Sequence, residues 1–314
     1  MKGLELSKAY FETYGREMLE EGFADILPKV AVGFVGSGSE HYGFDDETSQ
    51  DHDFEPGFCL FLPEKDVVDR RREFQLERAY AKLPKEFMGY RRQPMSPVGG
   101  NRNGVIRTAE FYQKAVGSAD GTLSVDAWLH IPDYALAEAT NGEIFYDEYG
   151  EFTSIRNYLL HMPEDIRLKR LAGNLLLMGQ SGQYNFLRCI RHQEPEAAQL
   201  ALCEYVQSAL KTIFLIKGRY LPYYKWSFRA LRQLDDMTEL AEDLSLLLQG
   251  DNRDDETVRQ KYEFVEKIAG SVIALLNDQD MTNAICGDLE KHAYSVNDRI
   301  ADSHIRNLHI LEAV

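Results

Sequence analysis

Residues 36–62 read GSGSEHYGFDDETSQDHDFEPGFCLFL, and two apolar runs bound them: Val30 to Val35 enters the stretch and Phe58 to Leu62 ends it. Short runs rich in valine, phenylalanine and leucine between glycine and proline signals predict buried strands. Glycines at a strand end let backbone N–H groups approach an anion, and serine hydroxyls add donors. Gly36, Ser37, Gly38 and Ser39 therefore read as a short phosphate-cradling loop, although a tight turn uses the same residues. The lysine of a G-x-x-x-x-G-K-[ST] loop is missing, which argues against ATP hydrolysis of that type.

Downstream, Asp51 and Asp53 stand one residue apart before the second apolar run. Alternation along an extended segment puts the two carboxylates on one side and His52 on the other. Paired carboxylates repel unless a cation lies between them, and hard oxygen donors suit Mg²⁺ or Mn²⁺. An EF-hand loop starting at Asp51 fails, because Glu55 and Pro56 occupy the places of its Asp or Asn and its Gly. A solvated acidic loop is the other reading of Asp-x-Asp. Glu40 and the run Asp45, Asp46, Glu47 read as solvated loop charges, with Glu40 or His41 as further candidates to line a metal site.

The chain of 314 residues carries a net charge of −16, with 44% hydrophobic residues, enough for a sizeable core. So acidic a balance argues against docking on a nucleic acid, which needs lysine and arginine to displace counterions. The four cysteines show no metal-ligand spacing and read as reduced core thiols. The charged N-terminus has no signal-like apolar segment and no run of about 18 apolar residues occurs, so a cytoplasmic protein without a membrane span is expected.

Texture changes near the middle. Up to residue 150, the strand-like runs VAVGFV, FCLFL, GVIRT, LSVDAWL and GEIFYD alternate with helical stretches. Beyond residue 163 the pattern is helical, in five long stretches with acidic starts and Gly or Asn near the stops. The expected fold class is α+β: a mixed sheet with flanking helices over 1–150, then a helical bundle over 151–314 that completes a cleft.

A hydrophobic strand, Gly-Ser, eleven residues from Ser39 (thirteen from Ser37) and then Asp-x-Asp leading into another strand resembles the DNA polymerase β-type nucleotidyltransferase superfamily. The longer wording, GSGSEHYGFDDETSQDHD with PYYKW far downstream, is similar to the DUF4037 subgroup, related to antibiotic nucleotidyltransferases. The resemblance implies that Gly36 to Ser39 bind the phosphates of an NTP, ATP being the expected one, and that Asp51 and Asp53 are catalytic and hold Mg²⁺. It also implies a third carboxylate on a later strand, Asp126 in TLSVDAWLHIPD or its rival Glu110. Lys225 would reach the triphosphate from the helical part, with Tyr223, Tyr224 and Trp226 stacking a ring or belonging to the core. The implied reaction moves a nucleoside monophosphate to an acceptor hydroxyl, for which the acidic surface favours a small molecule, and releases pyrophosphate.

Two alternatives accompany it: a relative that binds nucleotide or a partner without the chemistry, and a helical-domain RNase. The second rests on two R-x4-H matches, Arg156 to His161 and Arg299 to His304. Arg188 and Arg191 lie three apart on one helix face, open to a phosphate or to surface salt bridges.

Overall fold

The computed structural model describes residues 1–49, 54–92 and 102–314. They gather into two compact units, Met1–Leu123 with Tyr134–His161, and Ser124–Asp133 with Met162–Val314. The fold is mixed α+β.

In the first unit, α1 (Gly3–Tyr10) runs through a π-helical turn at Phe11–Gly15 into α2 (Arg16–Gly22). Strands β1 (Ala31–Phe34) and β2 (Cys59–Leu62) follow, then α3 (Arg70–Lys82), the small hairpin β3 (Glu86–Phe87) and β4 (Tyr90–Arg91), β5 (Gly104–Arg107) and α4 (Thr108–Val116). After α5 (Val125–His130), which belongs to the second unit, come α6 (Asp133–Thr140), β6 (Glu143–Asp147) and α7 (Glu151–Leu160). The sheet order is β5-β2-β1-β6. β1 pairs antiparallel with β2 and β6, and β2 pairs parallel with β5.

Every residue of β1 and β2 is buried. Strands covered on both faces read as continuous apolar runs, and both faces are indeed covered. Val32, Leu60 and Leu62 join Tyr10, Phe11, Leu19 and Leu76 in one core. Phe61 stacks on Phe152, 4.0 Å between ring centroids, in an aromatic cluster with Phe111 and Tyr112. Asp69 caps α3 by accepting the Arg72 N–H at 2.8 Å, an ordinary start for a surface helix.

LSVDAWL is the one strand-like run that is not a strand. Ser124 accepts the Ala127 N–H at 3.1 Å and starts α5, which buries Trp128 and Leu129. The capping hydroxyl outweighs the local apolar alternation.

The second unit centres on α8 (Glu164–Met178), which continues through a π-helical segment, Gly179–Phe186, into α9 (Leu187–Arg191). Around it come α10 (Pro195–Ile216), α11 (Tyr224–Arg232), α12 (Thr238–Leu247), α13 (Asp255–Asp278), α14 (Leu289–Asn297) and α15 (Ser303–Asn307). Pro195 opens α10, where its missing N–H costs nothing. Gly182 lets the Tyr205 ring lie against the π-helical turn, since a Cβ there would stand 2.2 Å from that ring. All four cysteines are unpaired. Among the described residues no helix is long and apolar enough to cross a membrane.

Candidate functional site

The register of the sheet gives the site its position. Gly33 faces Cys59 across the antiparallel β1–β2 pair, and Cys59 faces Gly104 across the parallel β2–β5 pair. The chain leaving β1, the chain entering β2 and the chain entering β5 therefore meet at one end of the sheet. The first is the Gly-Ser loop. The second is the segment that follows Asp51 and Asp53 in sequence, and those two residues lie outside the described ones. The third brings Arg102, whose carbonyl accepts from the Cys59 thiol at 3.1 Å.

Gly36 and Gly38 hold φ of +134° and +131°, conformations open to glycine alone. Ser37 is exposed, while Ser39 is buried and begins a single 3₁₀ turn, Ser39–Tyr42, closed by Gly43 in the left-handed region. The Ser39 hydroxyl leans 3.4 Å from Glu40 Oε2. A Cβ at residue 38 would stand 2.4 Å from Glu40 Oε1, so the glycine leaves room for this folded-back carboxylate. Gly36 does not offer its N–H to a ligand: Asn141 Oδ1 accepts it at 2.9 Å, and Asn141 Nδ2 donates to Gly36 O at 2.7 Å.

The charges expected to be solvated are not all so. Glu40 is buried, and desolvation raises its carboxyl above the usual range despite Arg102 at 3.6 Å. Asp45 is 1% exposed: its Oδ2 accepts the Gly3 N–H at 2.9 Å at the start of α1, and its Oδ1 has no hydrogen-bond partner among the described residues. The acidic run hides a helix-capping acid, a role that a string of charges does not announce. His41 is 3% exposed and stacks on Phe34 at 4.1 Å. Burial, helped by Arg102, pushes its imidazole down to about 3, opposed by the backbone of Gly38 and Ser37, and Glu40 Oε1 stands 3.7 Å from Nδ1. Glu138, half-buried on α6, is raised by desolvation and opposed by the same Arg102.

The other predicted residues sit on helices or at their starts. Asp126 sits in the first turn of α5, in the second unit, its side chain 90% exposed and 3.3 Å from His130 Nδ1. Glu110 is exposed in the first turn of α4. Both are on helices, so neither acid lies on a strand, and β5, just before Glu110, reads Gly-Val-Ile-Arg. Lys225 is exposed in the first turn of α11, where the helix dipole disfavours a cation, so helix stability does not account for it. Beside it Tyr223 and Tyr224 lie with ring centroids 4.5 Å apart, Tyr224 being 72% exposed, which makes the pair a surface feature and not core. Arg188 is exposed and donates to the Tyr184 hydroxyl at 2.6 Å.

Of the R-x4-H pairs, Arg156 spends its guanidinium on the carbonyls of Thr140, Asn141 and Gly142, and Arg299 bonds Asn283 at 2.9 Å. Among the described residues no three of His, Cys, Asp and Glu could together hold a metal ion. Arg102, Asn141 and Glu138 are the neighbours that sequence reasoning missed. The turn wording NRNG at 101–104 was the available signal for the first, while Asn141 is brought to the loop only by the β1–β6 pairing.

Comparison with known proteins gives two findings. Residues 128–227 match the model of a domain of unknown function, DUF4037. That stretch includes Asn141, Arg156 and Lys225 and excludes the Gly-Ser loop, Asp51, Asp53 and Asp126. A nucleotidyltransferase-like protein from Exiguobacterium sibiricum 255-15 is similar at 12% identity over 87% of this chain and 78% of its own, with a TM-score of 0.36, too low to carry residue roles across. No curated protein matches the chain.

Proposed function

We propose that the protein is a metal-dependent nucleotidyltransferase whose nucleotide site lies at the end of the sheet where β1 leaves and β2 enters. The single observation that carries this reading is the register: Gly33 opposite Cys59 brings the Gly-Ser loop beside the entrance of the strand that Asp-x-Asp precedes. A triphosphate needs donors that come close without bulk, and the exposed Ser37 with the open backbone at Gly38 offers them. Arg102 adds a cation at the same end.

Asp51 and Asp53 would hold Mg²⁺ or Mn²⁺. Their oxygens suit those ions, and the Oδ1 of buried Asp45 beside Glu40, without a hydrogen-bond partner among the described residues, is a further hard donor on this side of the sheet. When bound, the ion supplies charge neutralisation to the triphosphate. Lys225 and Asp126 keep the roles that the resemblance implies, phosphate partner and third acid. The acceptor is a hydroxyl compound, with ATP as donor and pyrophosphate as product.

A second reading, nucleotide binding without transfer, is favoured by the lack of an acidic residue on β5. One experiment separates the readings. ATP with Mg²⁺ should raise Tm in the wild type and leave it unchanged in Asp51→Asn/Asp53→Asn. Pyrophosphate release on addition of hydroxyl acceptors then marks transfer. No nucleotide-dependent gain in Tm, or an equal gain in the double variant, overturns the proposal. Turnover of Asp126→Asn against Glu110→Gln ranks the two candidate acids, the larger loss being expected for Asp126.

A further inference from the structure

Beyond the end of β1, the backbone groups of Gly36 have left the sheet ladder and need partners. One side chain serves both: Asn141 accepts the Gly36 N–H at 2.9 Å and donates to the Gly36 carbonyl at 2.7 Å. A planar carboxamide offers an acceptor and a donor side by side, and this two-point pairing fixes the peptide planes on either side of the glycine.

Asn141 is itself held. It follows the last residue of α6, where the final carbonyls lack helical partners. Arg156 on α7 fills that need, with Nε donating to Thr140 O at 3.1 Å and one terminal nitrogen to Asn141 O and Gly142 O, both at 3.3 Å. Gly142 then donates its N–H to His41 O at 3.0 Å. Its φ is +63°, and a Cβ would stand 1.9 Å from Phe34 O. The corner 140–142 thus grips the chain at Gly36, before Ser37 and Gly38, and at His41, after them.

We infer that Asn141 is a positioning residue for the Gly-Ser loop, with Arg156 as its brace, and that together they set the direction of the Ser37 and Gly38 donors toward a nucleotide's phosphates. The inference rests on the nucleotide reading above. It also divides the loop: Gly36 shapes the backbone, and anion recognition falls to Ser37 and beyond.

The test is the Kd for ATP with Mg²⁺, measured beside the ligand-free Tm, in Asn141→Leu, Arg156→Lys and Asp69→Ala. Asp69→Ala removes the cap of α3 in the same unit and provides a destabilised control away from the loop. Asn141→Leu should weaken nucleotide binding about tenfold, the equivalent of one well-placed hydrogen bond, with a Tm no lower than a few degrees below the control. Arg156→Lys should shift Kd in the same direction by less, and it carries the test if Asn141→Leu does not fold. Asp69→Ala should bind like wild type. Wild-type affinity in Asn141→Leu and Arg156→Lys overturns the inference and leaves the nucleotide reading standing. A wild-type protein that binds none of the four NTPs with Mg²⁺ or Mn²⁺ overturns both.

Discussion

Two buried lysines of the helical unit and the buried groups of the Gly-Ser loop meet the cost of burial in opposite ways. Lys169 on α8 is fully buried, yet its ammonium donates to Asn297 Oδ1 at 3.0 Å, Arg306 O at 3.3 Å and Leu308 O at 2.6 Å. Lys261 on α13 is held in the same manner by Asn252, Gln199 and the Gly250 carbonyl. At the loop, Asp45 is as deeply buried and its Oδ1 has no hydrogen-bond partner among the described residues, while burial holds the His41 imidazole neutral. The Asp133–Arg170 pair, 3.0 Å apart in the helical unit, stands between these cases, since two Arg170 nitrogens have no hydrogen-bond partner among the described residues. Satisfied burial is what stability selects. Unpartnered buried atoms occur among the described residues of both units, Asn174 Oδ1 and Thr212 Oγ1 among them in the helical one, so the contrast lies between these lysines and the loop groups and not between the units as wholes.

The largest expected effect lies on the loop side. Gly142→Ala sets a Cβ against Phe34 O at a positive φ, and β1 cannot yield without moving Gly36. A loss of about 4 kcal/mol in urea unfolding is expected. A loss under about 1 kcal/mol would mean that the corner gives way easily and cannot hold the loop. Next comes Lys169→Met, which keeps the shape and strands three oxygen acceptors. It should cost about 3 kcal/mol by the same measurement. A neutral result would place Lys169 with the unsatisfied groups and dissolve the contrast. Ser124→Ala should cost about 1 kcal/mol, the ordinary worth of a helix cap.

That last residue shows how much was legible. VAVGFV and FCLFL became β1 and β2 because apolar runs buried on both faces have few alternatives, while GVIRT and GEIFYD became the half-buried edge strands β5 and β6, bounded by glycines. The long periodic stretches became α8, α10, α12 and α13 for a similar reason, and GDLEKHAYSVNDRIADSHI broke into α14 and α15. LSVDAWL was misread because its decisive feature is one hydroxyl, Ser124, at the right spacing from Ala127. At the site, the glycine backbone of 36–38 was legible, since only glycine takes those φ values. Asn141 was not legible: it stands 105 residues from Gly36, and only strand pairing brings them together. Nor was the burial of Glu40, His41 and Asp45, which depends on α1 covering the turn: a Cβ on Gly3 would stand 2.5 Å from Glu40 Cβ.

His41→Leu should have the smallest effect at neutral pH and the most distinctive one in acid. A neutral imidazole leaves through the substitution and an apolar group of similar size takes its place, so stability at pH 7.5 should stay within about 1 kcal/mol of wild type. The wild-type imidazole titrates near 3 when folded and near 6.5 when unfolded. Between those values the unfolded chain binds a proton that the folded one refuses. Stability therefore rises with pH across the window, is complete above about 6.5, and falls on acidification by at most about 1.4 kcal/mol per pH unit from this group. Glu40 acts in the opposite sense. Its raised carboxyl keeps a proton to higher pH in the folded state, so its contribution is present in acid and is lost as pH rises through the raised value. Urea midpoints from pH 4.5 to 7.5 should thus fall less steeply toward acid in His41→Leu, with the residual loop contribution reversed in sign. An acid limb identical to that of wild type would show that the imidazole is not held neutral, and would move His41 to the satisfied side of the comparison with Lys169.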